Sequence, residues 1–195
     1  MQNKVKIDIE DYKTISNRII EGEKNGIGKE YRLNTRIVLF EGEYINGKKN
    51  GKGKEYYENG KKKFEGEYLK GLKKEGKEYD KNGNIILILE KNGQGKEYYR
   101  NKKVKFEGEY YNGKRWNGKG YDPSGKKEYE LSYGKGYVKD YNYDGDLIFE
   151  GYYLDGERNG KGKEFIPWTK KILTLDLLIQ IIRQKNHLKR IMKLN

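Results

Sequence analysis

Residues 47–53 read Gly-Lys-Lys-Asn-Gly-Lys-Gly. Glycines ahead of a lysine are what a phosphate-cradling loop uses, because backbone N–H groups and an ammonium converge on the anion. The spacing fails here: one residue too few separates Gly47 from Gly51, and neither Ser nor Thr follows Lys52. The Gly-Lys-Gly runs also lack the third glycine of a dinucleotide fingerprint and fall where a hairpin is expected, not before a helix. Glu41 and Glu43 are paired carboxylates, but the pair returns along the chain, and a carboxylate repeated with every unit belongs to a solvated face. Its expected partners are lysines on the adjacent strand, each pair contributing about 0.2–1 kcal/mol. There is no cysteine and one histidine, His187. Disulfides, thiolate chemistry and a histidine-based metal site are therefore excluded, and no Ser/His/Asp or Cys/His set can be assembled. The expectation is a non-enzyme without a cofactor.

The residues that failed as chemistry succeed as a structural phrase. FEGEY opens at Phe40, Phe64 and Phe106, and FEGYY at Phe149. The step from Phe40 to Phe64 lies inside the roughly 20–50-residue window of stacked arrays. Side chains alternate across a strand, so Phe40, Gly42 and Tyr44 share one face while Glu41 and Glu43 share the other. Asn46-Gly47 and Asn50-Gly51 follow. Asn-Gly is the strongest short-range hairpin signal, because a type I′ turn needs positive φ at both central residues. A second strand, roughly Lys52 to Tyr57, is expected to run back, and Asn59-Gly60 turns the chain toward Phe64. Parity puts Gly51, Gly53, Glu55 and Tyr57 on one face of that strand and Lys52, Lys54 and Tyr56 on the other. Each unit is thus a hairpin, and successive hairpins make an antiparallel meander.

Glycine weakens a strand and marks a bend or a close approach. Gly42, Gly66, Gly108 and Gly151 each lie between aromatic residues, so a neighbouring ring is expected to lie over them. Repeated, this makes a ladder of rings and a regularly bending sheet. The pattern Y/F-x-G-x-Y/W, x-x-G, G-x-G resembles the MORN (membrane occupation and recognition nexus) repeat. Phe40, Gly42, Tyr44, Gly47, Gly51 and Gly53 fill its positions, as do Phe149, Gly151, Tyr153, Gly156, Gly160 and Gly162; Phe64, Gly66, Tyr68, Phe106, Gly108 and Tyr110 fill its first strand twice more. The likeness covers roughly residues 20–165, with Tyr in place of the usual Trp and several shortened units. It implies an all-β fold, a curved single-layer antiparallel meander, with the repeat positions serving structure. KEYYENGKKKFEGEY is also similar to repeats in bacterial antitoxin-like proteins.

Hydrophobic residues make up 33% of the chain and charged residues 37%, a balance that alone would indicate disorder. The 19 tyrosines and regular turns argue otherwise, since each ring can bury about 150–250 Å² against its neighbours. Residues 1–19 contain Val5, Ile7 and Ile9 in period-two alternation, an expected capping strand. Residues 20–165 hold about seven units, including damaged ones at Ile20, Leu87 and Glu128. At Ile166 the composition changes: residues 166–195 carry no glycine, and Leu175, Leu178, Ile179 and Ile182 form a helical stripe. One helix, roughly Leu173 to Met192, is expected, and Arg183, Lys185, Lys189, Arg190 and Lys193 crowd the C-terminal half of the segment, which suits the negative end of a helix dipole. This segment carries seven cations against Asp176, and so nearly half of the chain's +13. It reads as a cap over the last hairpin's open edge, as a basic amphipathic membrane anchor, or as the relic of a frameshift.

The N-terminus lacks the apolar core of a signal peptide, no glycosylation sequon occurs, and no apolar run approaches the ~18 residues of a membrane span. A cytoplasmic location is the expectation, with peripheral membrane attachment as its variant. Basic loops interleaved with Tyr could stack on single-stranded nucleic acid, but glutamate follows almost every lysine cluster, so nucleic acid is disfavoured. The resemblance implies a scaffold that binds a protein partner at a membrane or cytoskeletal surface. The alternatives are binding of an anionic membrane surface through the five basic residues above, and, from the antitoxin-like resemblance, occlusion of a toxin.

Overall fold

The computed structural model describes residues 18–22, 24–167 and 171–172. They form an all-β antiparallel meander. Its strands are β1 Arg18–Gly22, β2 Gly26–Arg32, β3 Val38–Ile45, β4 Lys48–Tyr56, β5 Lys62–Leu69, β6 Leu72–Tyr79, β7 Ile85–Leu89, β8 Gln94–Tyr98, β9 Val104–Tyr111, β10 Lys114–Tyr121, β11 Lys127–Leu131, β12 Gly136–Tyr141, β13 Leu147–Leu154, β14 Glu157–Ile166 and β15 Lys171–Ile172. Each strand pairs with its sequence neighbours, except that β11 and β12 share no ladder. The first eleven make one sheet and the last four a second. The ladder parts between β11 and β12, where one isolated bridge, Ser132↔Lys135, closes the turn.

The expected helix over Leu173–Met192, with Arg183, Lys185, Lys189, Arg190 and Lys193, lies outside the described residues, as do residues 1–17 of the expected N-terminal cap. No helix occurs among the described residues. The change of composition at Ile166 does not end the sheet: Ile166 still belongs to β14, and β15 pairs back onto it through Phe165↔Ile172 and Ile166↔Lys171.

Turn chemistry sets the hairpins. Asn46 (φ 52°) and Gly47 (φ 71°) form the two-residue turn expected from an Asn-Gly pair, with positive φ at both positions. Lys70-Gly71, Asn112-Gly113, Tyr133-Gly134 and Asp155-Gly156 repeat it. Asn50-Gly51 is not a second turn. Because the chain has already reversed at Gly47, the return strand starts at Lys48 rather than Lys52, and Asn50-Gly51 lies inside it. The register there passes from Gly42↔Gly53 to Tyr44↔Lys49, so Gly51 (φ 87°) sits in a bulge. The parity of β4 survives, because the register absorbs two extra residues and not one.

Candidate interaction surface

The glycines inside the strands line up from strand to strand. Register pairs join Gly22↔Gly28, Gly28↔Gly42, Gly42↔Gly53, Gly53↔Gly66 and Gly66↔Gly76 across β1 to β6. Leu89 takes the place in β7, and the line resumes as Gly95↔Gly108↔Gly118. Leu131 and Val138 stand at the break between sheets, and Gly151↔Gly162 ends it. The expectation that a ring covers the first glycine of each unit holds for Gly42, where a Cβ would lie 2.7 Å from the Phe40 ring. It fails for Gly66 and Gly108, whose nearest neighbours are the carbonyls of Glu75 and Asn117 on the adjacent strand. The rings instead cover the second strand. A Cβ on Gly53 would lie 2.6 Å from Phe40, on Gly76 2.9 Å from Phe64, on Gly118 2.7 Å from Phe106, and on Gly162 2.6 Å from Phe149.

Phe40, Phe64 and Phe106 are fully buried, and Tyr44, Tyr68 and Phe149 nearly so. Phe40 meets Tyr44 and Tyr68 edge-on at 5.5 and 5.4 Å between centroids, and Phe64 meets Tyr68 at 5.3 Å. Phe106 holds Tyr110, and Phe149 holds Tyr153, at 5.8 Å. A cation then closes each Phe from above: Lys49 lies 4.0 Å from the Phe40 centroid, Lys73 4.6 Å from Phe64, Arg115 5.1 Å from Phe106 and Arg158 4.7 Å from Phe149. Each stands the same distance after its Phe in sequence, at the start of the return strand. That spacing is the signal by which these cations could have been found from sequence; nothing about the turn or ring positions demands it.

Carboxylates from neighbouring hairpins pair with the caps. Lys49 reaches Glu30 (3.4 Å) and Glu55 (3.5 Å); Lys73 reaches Glu55 (3.5 Å) and Glu78 (2.9 Å). The second half concentrates this into a buried network. Arg115 donates two hydrogen bonds to Glu97 (2.6 and 2.5 Å), one to the Tyr129 hydroxyl (2.8 Å) and one to Asp140 (3.2 Å). Tyr110 also donates to Glu97, and Lys105 reaches Asp140 at 3.4 Å. Burial raises the Glu97 carboxyl, but the charge and hydrogen bonds of Arg115 outweigh it and bring it down to about 2. Asp140 is lowered in the same way against its own burial, whereas burial lowers Lys105. No local motif signals this network, because its members come from β8, β9, β10, β11 and β12.

The opposite face carries charge in order. Beside the glycine line runs a row that reads Lys29, Glu41, Lys54, Glu65 and Lys77 across β2 to β6, then Lys96, Glu107, Lys119 and Glu130 across β8 to β11, and Lys139, Glu150 and Lys163 across β12 to β14. Ile88 in β7 interrupts it. Ion pairs follow at Lys29–Glu41 (3.5 Å), Lys54–Glu65 (3.4 Å) and Lys96–Glu107 (3.0 Å), as the alternation predicts for Glu41. Glu43 behaves differently: it accepts the Lys52 backbone N–H inside the bulge (3.0 Å).

Hairpins are stitched at their turns. The Gly47 N–H bonds to the Lys24 carbonyl, Gly71 to Lys49, Gly134 to Trp116 and Gly156 to Gly134. Alongside them, Asn46, Lys70 and Tyr133 donate backbone N–H groups to the side chains of Asn25, Asn50 and Asn117. Asn50 was expected to turn the chain; it receives the next hairpin's turn instead.

Among the described residues no group of three or more acidic, His or Cys side chains could hold a metal, and no helix is long and apolar enough to cross a membrane. No curated protein matches the chain. The family model of the MORN repeat matches residues 40–62 and 149–168, the hairpins of β3–β4 and β13–β14. Both matched segments hold a covered glycine, a cation-capped Phe and a two-residue turn, and the hairpins between them are paired in the same way: the chain carries MORN repeats.

Proposed function

We propose that the protein is a non-catalytic scaffold for protein–protein interaction, and that its partner docks along the turn edge of the charged face. One observation carries this reading. Beside the two-residue turns, Ile45 (52% exposed), Leu69 (48%), Leu72 (46%) and Tyr111 (58%) remain open to solvent. Three of them follow directly on the buried or partly buried Tyr44, Tyr68 and Tyr110, so strand parity turns them to the charged face. Single exposed apolar residues are ordinary, but a set recurring at one place in three hairpins, β3–β4, β5–β6 and β9–β10, is a candidate contact surface. Among the described residues the ring face offers no such surface, since Phe40, Phe64, Phe106 and Phe149 are each covered by a cation that is itself paired with carboxylates.

Affinity capture with the wild-type chain and with an Ile45→Ser/Leu69→Ser/Tyr111→Ser variant tests the proposal. The three positions are exposed, so the variant is expected to melt with the wild type and lose the partner. Retention of every captured protein by the folded variant sinks the edge as the docking site.

Attachment to an anionic membrane is the second reading, and the net +6 of residues 166–195 favours it. A cytoplasmic location accords with either reading. An antitoxin-like role belongs to the same class of interaction, with a toxin as the protein partner.

A further inference from the structure

A groove of about 470 Å³ runs over the glycines of β3 to β5 on the charged face. Its floor is backbone, because alternation turns the positions of the glycine line, Gly42 and Gly53 among them, toward the ring face. One wall is the alternating row containing Lys29, Glu41, Lys54 and Glu65. The other wall contains Ile27, Glu43, Lys52, Glu67 and Glu75. The second wall does not alternate. Glu67 and Glu75 stand directly opposite each other in the register of β5 and β6, an arrangement that costs stability. Among the described residues neither forms an ion pair, and one oxygen of Glu75 is buried with no hydrogen-bond partner. A chain of net charge +13 thus carries, at one place, a wall of three carboxylates against one lysine.

The geometry points to this groove as the seat of an extended, lysine- or arginine-bearing protein segment. The inference deepens the scaffold reading and rests on it. Charge complementarity names the occupant's sign: an ammonium or guanidinium placed between Glu67 and Glu75 relieves their mutual repulsion. Width names its conformation. The walls arise from residues two apart along each strand, about 7 Å, too narrow for a helix of about 10–12 Å diameter. Spacing names its pattern. Glu43 and Glu67 lie two strands apart, about 10 Å, which an extended segment of polyproline-II form spans in one turn of three residues, at about 3.1 Å each, so that every third side chain returns to the same face. Ile27, 76% exposed at the β2 end, supplies an apolar contact.

The probe is a labelled ten-residue peptide with lysine at every third position and glycine and alanine between, titrated against the full chain by fluorescence anisotropy. A second peptide carries glutamate in place of each lysine. Binding of the lysine peptide alone is expected. Glu67→Gln/Glu75→Gln is expected to weaken it at least five-fold, and Glu67→Lys to abolish it, with melting temperatures equal to or above wild type because the opposed charges are gone. Equal binding of both peptides overturns the inference, as does unchanged affinity in the folded double glutamine variant. If a protein captured through the Ile45–Tyr111 edge binds the double glutamine variant as well as wild type, the scaffold reading stands and the groove falls. Salt-sensitive binding of anionic vesicles in competition with the lysine peptide also overturns the groove's assignment to a basic segment.

Discussion

Arg115 stands over the ring of Phe106, 5.1 Å from its centroid, while its guanidinium grips Glu97 with two hydrogen bonds. The same residue therefore closes an aromatic layer and neutralises a buried acid. Its removal leaves Glu97 and Asp140 without their main partner. Arg115→Met is expected to cost about 3–5 kcal/mol, the penalty for an uncompensated buried charge. Lys49→Met, over Phe40 in the first half, is expected to cost about 1 kcal/mol, since Lys49 keeps contact with water and Lys73 and Lys63 still serve Glu55. Chemical denaturation of the two variants checks the ratio, and equal losses contradict the buried network.

Glycine positions divide by what an added methyl would meet. At Gly66 it strikes the carbonyl of Glu75 on the next strand, which cannot move without breaking the ladder. At Gly53 it presses the Phe40 ring, which can tilt. At Gly60 it meets nothing within 4 Å, and only the left-handed backbone (φ 76°) is strained. Alanine is therefore expected to cost more than about 3 kcal/mol at Gly66, about 1–3 at Gly53 and about 1–2 at Gly60. Urea midpoints for the three variants give the order, and a Gly60 variant weaker than Gly66 contradicts it.

Replacing Tyr68 removes edge contacts to both Phe40 and Phe64. Tyr68→Ser is expected to cost about 3–5 kcal/mol. Glu65→Gln, which loses only the half-exposed pairs with Lys54 and Lys62, is expected to stay within about 0.5 kcal/mol. Thermal melts separate the two, and similar shifts would falsify the assignment of rings and carboxylates to opposite faces.

Stability should fall at both ends of the pH scale. Glu97 is held at about 2 against an ordinary 4.5. Its depressed value means that its contribution is present above 4.5 and lost as pH falls from there toward 2. Tyr121, hydrogen-bonded to Glu107, and Tyr56 and Tyr141, raised by burial and by Glu41 and Glu128, lie at about 12 instead of 10. A raised tyrosine favours the folded state below pH 10, and that contribution disappears as pH climbs toward 12. Urea midpoints across pH 2–12 should form a plateau between these limits. An acid limb beginning near neutrality does not fit it.

The tail separates the two functional readings. Because β15 still pairs with β14, a chain ending at Ile172 keeps every described strand and is the form to compare with the full one. If residues 173–195 bind membrane, co-sedimentation with anionic vesicles is expected for the full chain only and is expected to fade as salt rises. Equal sedimentation of both forms shifts lipid contact to the repeats. Sedimentation of neither removes the membrane reading.

Rings, glycines and the first turn were legible because each is a local demand: Asn46-Gly47 needs positive φ, and Phe40-x-Gly42-x-Tyr44 needs one face. Asn50-Gly51 misled for the same reason. Its dipeptide signals a turn, but a turn already closed at Gly47 makes it a bulge, and its side-chain role depends on Lys70 in the next hairpin. The partial failure of the ring-over-glycine reading is also one of pairing, since the glycine that a ring covers is chosen by register. Arg115, Glu97 and Asp140 were illegible because they meet through five strands, two of them in hairpins whose phrase has decayed. The cations over the rings were legible as a fixed step after each Phe, had lysine not been so common elsewhere.

The order of charges beside the glycine line has a bearing on how such a chain can change length. Lysine falls on even strands and glutamate on odd ones from β2 to β6. Inserting or losing one strand would set lysine against lysine, or glutamate against glutamate, where the strands rejoin. Adding or removing two strands leaves every neighbour as it was. The array can therefore grow or shrink by whole hairpins only, and the pairing of opposite signs acts as a parity check on duplication.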